Sequence, residues 1–338
     1  MTPQRVGANE HDAPSVGYLH DDPGFADILG VAQTKAGIPL EFVEKDYWVT
    51  HVLWWLQREK FGVSFRGGTS LSKCFGLIQR FSEDIYVHLV APTTMAVPVV
   101  QSWAPSDSVH AADRFAYFEW LTGELRRIPG LTAVRHDVSR HAPRHINAIY
   151  FLEYPSRFED TAVPLQTFVQ LEIAPDTIYA TVSQPAISLV HDALSSSQLA
   201  GYINNRPATL SCAHPLATLL GKLDAICNQH ARASDPSRYV RHFEDVHHII
   251  SAIPSVPELP DRMTVQDLAA RMYADKQIRR RYDAQDPAFT LPDAADRAAL
   301  EVAHAELRGW HWGPRVSLMD ACATILGWLR RENLFSKT

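Results

Sequence analysis

FGVSFRGGTSLSKCFGLIQRFSEDIYVHL, residues 61–89, is the stretch that decides the fold. Phe61, Val63 and Phe65 alternate with Gly62 and Ser64, the period of a half-buried strand. Gly67-Gly68 breaks that pattern, since two glycines allow positive φ and let a ligand come close to the backbone. Thr69 or Ser70 can cap the helix that follows, whose apolar positions Leu71, Phe75 and Ile78 fall at helical spacing. The start of that helix points free N–H groups at the turn, a natural place for phosphate oxygens. Lys73, one turn in, adds a point charge to the same place. The chain then returns as a second strand, with Asp84, Tyr86 and His88 on one face and Ile85, Val87 and Leu89 on the other.

Glycine turn, short helix and acidic strand together form the layout of a nucleotidyltransferase palm. The turn and helix hold a triphosphate, and strand carboxylates hold the metal that bridges it. A lone Gly-Gly marks only a turn. Gly-Gly-Thr-Ser followed at this distance by Ser82-Glu83-Asp84 is more specific, against the plain alternative of a packed turn beside a chance acid.

These residues resemble the AbiEii/AbiGii-type nucleotidyltransferase toxins of bacterial toxin–antitoxin and abortive-infection systems, a group that includes the MenT toxins. The resemblance also rests on FVEKDYWVTHVL at 42–53, LEIAP at 171–175, GKLDAI at 221–226 and RHFEDVHHI at 241–249. It is dense over residues 40–90, patchier over 165–250 and weak beyond. It implies an α/β (α+β) fold with a DNA-polymerase-β-like, mixed-sheet core. It also implies nucleotide transfer from an NTP with Mg²⁺ (or Mn²⁺), and a cognate antitoxin as partner. In MenT-like members it implies transfer to the 3′ end of tRNA, which blocks translation. Carried over to this chain, it sets Gly67, Gly68, Ser70 and Lys73 on the nucleotide and Asp84 at the metal. Lys222 falls in the active site, and Asp245 either orients Lys222 or acts as base.

Two positions depart from the family pattern. An Asp-x-Asp pair reads here as Asp84-Ile85-Tyr86. A phenol with a pKa near 10 is a poor ligand for Mg²⁺, which takes hard, charged oxygens. An Arg-Asp-x-x-Asp-like element keeps Arg241 and Asp245 but has His242 at the middle acid. Tyr86 leaves other classes of function open. One is a nucleotide-holding pseudoenzyme that binds RNA or a partner; another is a nucleotidyltransferase acting on protein hydroxyls.

With 338 residues the chain has room for two domains, and its 46% hydrophobic and 21% charged content is that of a globular protein. The expected layout is a mobile arm over 1–20, a nucleotidyltransferase core over 21–190 and a helical domain over 191–338. A net charge of −6 gives no global nucleic-acid signature, so RNA must be met by a local patch. The densest basic run, containing Arg279, Arg280 and Arg281, closes a helix expected over 263–282. Its alternative reading is a solvated basic end. Four scattered cysteines without CxxC spacing argue against a zinc knuckle or a disulfide framework, and fit a reducing cytoplasm. No apolar run reaches membrane-spanning length, and the start shows no signal-peptide pattern.

Helices are expected over 24–36, from Pro39 onward, and over 112–128, with a loop at 91–112. Glu44, Lys45 and Asp46 are either exposed helix charges or supports for the site. Trp48, Trp54 and Trp55 read as core, and Trp310, Trp312 and Trp328 as core or interface. Strands are expected over 131–138, 146–153 and 165–173. The last places Gln170 and Glu172 on one face, making Glu172 a second metal candidate or else an edge acid facing solvent. Arg140, Arg144 and His145 line the cleft or form a strand-connecting loop. Ser82 touches the metal site or caps the turn. Lys222 lies about 120° from its helix's apolar stripe at 100° per residue. Arg241 and Asp245, at i,i+4, would alone be a surface ion pair. His247 and His248 point apart, which disfavours a shared metal.

Overall fold

The computed structural model describes residues 17–82, 84–104, 106–140, 144–158, 165–175 and 178–335. Its elements run α1 (Phe25–Ala36), α2 (Leu40–Arg58), β1 (Gly62–Arg66), α3 (Gly68–Lys73), β2 (Asp84–Val90), α4 (Ala111–Leu125), β3 (Ala133–His136), β4 (Ala148–Glu153), β5 (Phe168–Ile173) and β6 (Thr181–Pro185). Two short helices, α5 (Leu189–Ala193) and α6 (Ser196–Leu199), lead to β7 (Thr209–Ala213). The rest is helical: α7 (Pro215–Ala231), α8 (Arg241–Ala252), α9 (Val265–Ala274), α10 (Pro287–Thr290), α11 (Ala294–Glu306) and α12 (Leu318–Glu332).

The seven strands form one mixed sheet in the order β3-β4-β5-β2-β1-β7-β6. β1 and β2 pair antiparallel at its centre, with Arg66 opposite Tyr86. β5 lies parallel to β2 and β7 parallel to β1. The expected alternation on β2 holds: Ile85, Val87 and Leu89 are buried, while Asp84, Tyr86 and His88 are half-buried on the other face. One face of the sheet is thus left for chemistry, and the other packs on helices.

Two hydrophobic cores result. The first gathers the buried face of the sheet with α1, α2 and α4, and its last member is Cys212. The second gathers α7, α8, α9 and α12 from Ala217 onward, and recruits Leu71 and Ile78 from the site stretch. The sheet thus takes β7 from beyond residue 190, where a helical domain is expected to begin. Thr209–Ala213 alternates between exposed and buried positions, and five residues are too few to announce a strand beside long helical periodicity. Of the expected arm, residues 1–16 lie outside the described residues, and residues 17–20 pack inward. Leu19 and His20 are buried, and Gly17 bridges to Tyr202. Trp48, Trp55 and Trp328 are core as expected; Trp310 and Trp312 pack against the first core from the C-terminal side.

Two expected helices stop early. α3 ends at Lys73, because Gly76 adopts φ 63° and the Leu77 N–H turns back to the Leu71 carbonyl. α9 ends at Ala274 rather than near residue 282: Lys276 sits at φ 60°, and the amides of Gln277 and Ile278 both reach back to Met272.

Under α2 lies a buried polar network. Asn205 donates to the Tyr47 hydroxyl and bonds to His51 Nδ1, each at 2.9 Å, while its carbonyl oxygen meets His191 Nε2 at 3.0 Å. His20 Nδ1 also meets the Tyr47 hydroxyl, at 2.8 Å. Burial depresses all three imidazoles, His20 and His191 to about 4 and His51 to about 3, from an ordinary 6.5. The unfolded chain therefore takes up protons below pH 6.5 that the folded chain refuses. This contribution to stability is complete above 6.5 and is lost as pH falls toward 4. The unfolding free energy from urea titrations should be flat from pH 8 to 7 and then fall, these three groups alone contributing a limiting slope of about 4 kcal/mol per pH unit. A flat profile down to pH 5 would show that these histidines are not held neutral.

Candidate active site

The turn between β1 and α3 is built by its two glycines for different reasons. Gly67 leaves the strand at φ 94°, a region L side chains rarely adopt. Gly68 is needed for space: a Cβ there would stand 2.7 Å from Ser82 Oγ and 3.1 Å from an Arg80 guanidinium nitrogen. Thr69 donates its hydroxyl to the backbone oxygen of Asp84 at 2.6 Å, fixing where β2 begins. Ser70 is buried and donates to the Gly67 carbonyl at 2.9 Å, so its hydroxyl closes the turn. Neither Thr69 nor Ser70 caps the helix; Gly67 holds the N-cap position.

Across the open face of the sheet, Asp84 stands opposite Gln170 and Tyr86 opposite Glu172. Asp84 and Glu172 are therefore diagonal neighbours, offset by two residues or about 7 Å along the strands. Glu172 is half-buried on the β2 side of the sheet rather than a solvent-facing edge acid, and Gln170 Nε2 donates to it at 3.1 Å. Tyr86 occupies the row between Arg66 and Glu172, with the Arg66 guanidinium 4.1 Å from its ring centroid, a close cation–π contact. Among the described residues no three His, Cys, Asp or Glu side chains gather as a ready metal cage. A divalent cation that keeps waters and shares substrate phosphates requires only one or two carboxylates, and the Asp84–Glu172 diagonal fits that demand.

The opposite wall is a buried ion cluster. Arg80 grips Asp245 with two parallel bonds, Nε to Oδ1 at 2.7 Å and a terminal nitrogen to Oδ2 at 2.6 Å. Lys222 donates to the same Oδ2 at 2.7 Å. Asp245 has no exposed surface, and Arg80 and Lys222 are 5% and 8% exposed. Burial opposes the charge on Asp245, but Arg80 and Lys222 outweigh it and hold the carboxyl well below its usual range. Burial lowers the Lys222 ammonium below its usual range, outweighing the pull of Asp245, which raises it. His242, 3.4 Å from the Lys222 ammonium, is driven by burial and that charge to about 3, so it is neutral at pH 7. Asp245 is thus no surface ion pair.

Arg80 was not a candidate from the sequence. Its one signal is a lone cation in the apolar run between Leu77 and Phe81. Glu244, next to Asp245, was missed as well. It is buried and accepts from Arg315 Nε at 2.9 and 3.0 Å and from the Val316 amide at 2.9 Å. Although burial works against its charge, bonds from His304, His311, Arg315 and Val316 hold it far below the usual carboxylate range. This clamp sets the segment after α11 against residues 79–81, where Phe81 N–H meets the Trp310 carbonyl at 2.8 Å.

Between the two walls lies a cleft of about 460 Å³ lined by Arg66, Gly67, Tyr86, Thr218, Lys222 and His242, among others. Asp84 and Ser82 line a second cavity with Arg80 and Arg241, which has no lining residue in common with the cleft. Lys73 is not in the cleft. It is buried, 2.5 Å from Asp46 Oδ1, and lines a separate cavity of about 180 Å³ behind α3. Asp46 also accepts the Leu189 amide at 2.9 Å, so the pair fastens α3 to α2 and α5. Glu44 and Lys45 are buried, not exposed: Glu44 accepts from Ser156 and the Arg157 amide, and Lys45 donates to the Gln166 carbonyl.

Arg279 and Arg280 give their backbone amides to Asp224, while the Arg280 side chain pairs with Asp286. The Arg144 carbonyl is held by Arg114, and His145 packs on Phe115, so both belong to the connection between β3 and β4; Arg140 ends a short turn there. His247 bonds to Thr324, and its ring stands at 82° to that of His248.

Gly67 of the glycine turn and Tyr86 of β2 thus share a cleft with Lys222, a lysine delivered from a separate helical unit, and the protein is a nucleotidyltransferase. Residues 57–309 match the family of AbiEii nucleotidyl transferase toxins of type IV toxin–antitoxin systems, and the chain belongs to that family. Membership implies an NTP substrate and a cognate antitoxin. Among solved structures, the chain is similar to MenT4, a nucleotidyltransferase toxin of Mycobacterium tuberculosis H37Rv, at 16% identity and a TM-score of 0.47, over 92% of this chain and 99% of that one. No curated protein matches the sequence. Among the described residues no helix is long and apolar enough to cross a membrane.

Breaking a buried ion pair from one side costs about 3–5 kcal/mol, because the other charge stays buried. Asp245→Ala strands two cations and should be the most destabilising change in the cluster. Arg80→Ala should follow, and Lys222→Met should cost least, since Arg80 keeps both bonds to Asp245. Urea unfolding of the three variants checks the order; equal losses below 1 kcal/mol would show that the cluster does not hold the walls together.

Proposed function

We propose that this toxin transfers a nucleotide from an NTP to the 3′-terminal hydroxyl of tRNA in the cytoplasm, and so blocks translation. The observation that supports this best is Lys222, held by Asp245, which Arg80 fixes in turn, at the wall of the cleft that Gly67 and Tyr86 floor. Gly67 and Gly68 bring backbone close to the phosphates, and Lys222 and Arg66 supply positive charge there. Ser70 and Lys73 act one step back, the first shaping the turn and the second bracing α3. Asp84 and Glu172 would hold Mg²⁺ (or Mn²⁺), which when bound neutralises phosphate charge. The acceptor oxygen attacks the α-phosphorus as the bond to pyrophosphate breaks, its proton passing to a strand carboxylate or water. His242, neutral at pH 7, places no second full charge beside Lys222.

Tyr86 favours a second reading. With Arg66 on its ring, it fills a position where an acid would bind metal, as in a pseudoenzyme that holds nucleotide and sequesters RNA or a partner.

Incubation with each α-³²P-labelled NTP and total RNA separates these readings. Labelled tRNA, lost in Asp84→Ala, is the expected result. Tyr86→Asp should raise the rate by about 100-fold or more, since a metal ligand is worth several kcal/mol in the transition state. The NTP-induced rise in Tm should stay nearly unchanged in that variant. An NTP-dependent Tm shift with no labelled RNA would favour the pseudoenzyme, and labelled protein would favour a side-chain acceptor. Equal rates for Tyr86 and its aspartate variant would show that transfer does not depend on paired carboxylates.

A further inference from the structure

The cleft has a direction. α7 lines it with Ala217, Thr218, Gly221, Lys222 and Ala225, eight residue steps or about 12 Å along the helix axis. Its near end meets the sheet, because β7 runs directly into α7 and pairs with β1 through Phe65 and Cys212. Its far end meets the segment after α9: Asp224 accepts the Arg279 and Arg280 amides at 2.9 and 3.4 Å, and Gln277 lines the cleft beside Met272.

That far rim carries the basic run, and it is fixed in place. The amides of Gln277 and Ile278 bond to the Met272 carbonyl at 2.8 and 3.0 Å, and Ile278 is buried at 1% exposure. Lys276, Arg279 and Arg281 point outward and are exposed. Among the described residues no ion pair engages them, whereas Arg280 is spent on Asp286. Asp275 and Asp283 flank the run and reduce its field without pairing within it. The Arg281 guanidinium lies 5.2 Å from the ring centroid of Tyr273, which is itself 37% exposed. Cations at fixed spacing beside a solvent-facing arginine–aromatic pair match the chemistry of an unpaired nucleic-acid strand. Phosphates take the cations, and an unstacked base takes the flat pair.

We propose that the rim at residues 276–281, with Tyr273, is the surface over which the acceptor enters the cleft, and that it fits the single-stranded 3′ end of an RNA. This rests on the reading of the protein as one that transfers nucleotides to RNA. The rim is tied by backbone bonds to Asp224, two residues from Lys222 on the same helix. A strand held on it is therefore held at a fixed offset from the lysine of the active site.

The test is fluorescence anisotropy of a 5′-labelled single-stranded RNA oligonucleotide with a free 3′ end, titrated with the full chain over a range of salt. Replacing Lys276, Arg279 and Arg281 together by glutamate should weaken binding at least 30-fold. It should also reduce the slope of log K against log salt by about 2, at roughly 0.7 per phosphate contact for a single strand. Tyr273→Ala should weaken binding several-fold with the slope unchanged. Arg330→Glu with Arg331→Glu, at the exposed end of α12, should change neither. The NTP-induced Tm shift should persist in every variant, which shows that each is folded with its cleft intact. A triple variant that binds RNA with wild-type affinity and slope overturns this surface while leaving RNA transfer standing. If the unaltered protein binds no RNA and labels none, the reading beneath it falls too. Tight binding of an acidic peptide in place of RNA would likewise overturn the proposal.

Discussion

Asp245 keeps its charge in a place without solvent, and the fold depends on the two cations that make this tolerable. Arg80 comes from the site stretch, Lys222 from α7 and Asp245 from α8, so three separated segments meet at one carboxylate. Removing Asp245 leaves two cations buried without their partner, and removing Arg80 leaves the carboxylate on Lys222 alone, so the meeting point depends above all on the Arg80–Asp245 pair. Hydrophobic packing alone would let the helical unit slide against the sheet by small amounts. A bidentate arginine fork does not, because its geometry is met at only one position.

The candidate active site lies where the two cores join. Leu71 of α3 belongs to the helical core and Cys74, just after it, to the sheet core, so the glycine turn is gripped from both sides. Lys73 and Asp46 brace the back of the same helix. The Glu244 clamp then lays Trp310 and Trp312 across Phe42 and Phe81. Charges in this molecule are spent first on fixing elements around the cleft. Arg66 and Lys222 line the cleft itself.

Tyr86 changes the electrostatics of the floor. An acid at that position would add to Asp84 and Glu172 and repel phosphate unless a cation intervened. The phenol removes one negative charge and gives Arg66 a ring to lie on, so the cleft is more positive toward a triphosphate and poorer in metal ligands.

The central strand pair, the glycine turn and the faces of β2 were legible in residues 61–89, because alternation is a local property of a chain, while Lys222 and Asp245 were singled out by the family resemblance of two helical stretches. Lys73 shows the limit. Its spacing from Gly67 suits a phosphate ligand, but which way a side chain leaves a six-residue helix depends on Asp46, distant in sequence, and only packing brings them together. The same holds for Arg80, unremarkable until Asp245 arrives 165 residues later. β7 was hidden because a five-residue strand takes its identity from the neighbour it pairs with, and the helix expected through residue 282 ended early where Met272 found closer partners. Sequence alone determined the elements and the chemistry they carry, since both are written in local pattern and residue type. Tertiary structure alone decided which charges neutralise each other and which face the cleft, since that depends on distances between segments that no local pattern encodes.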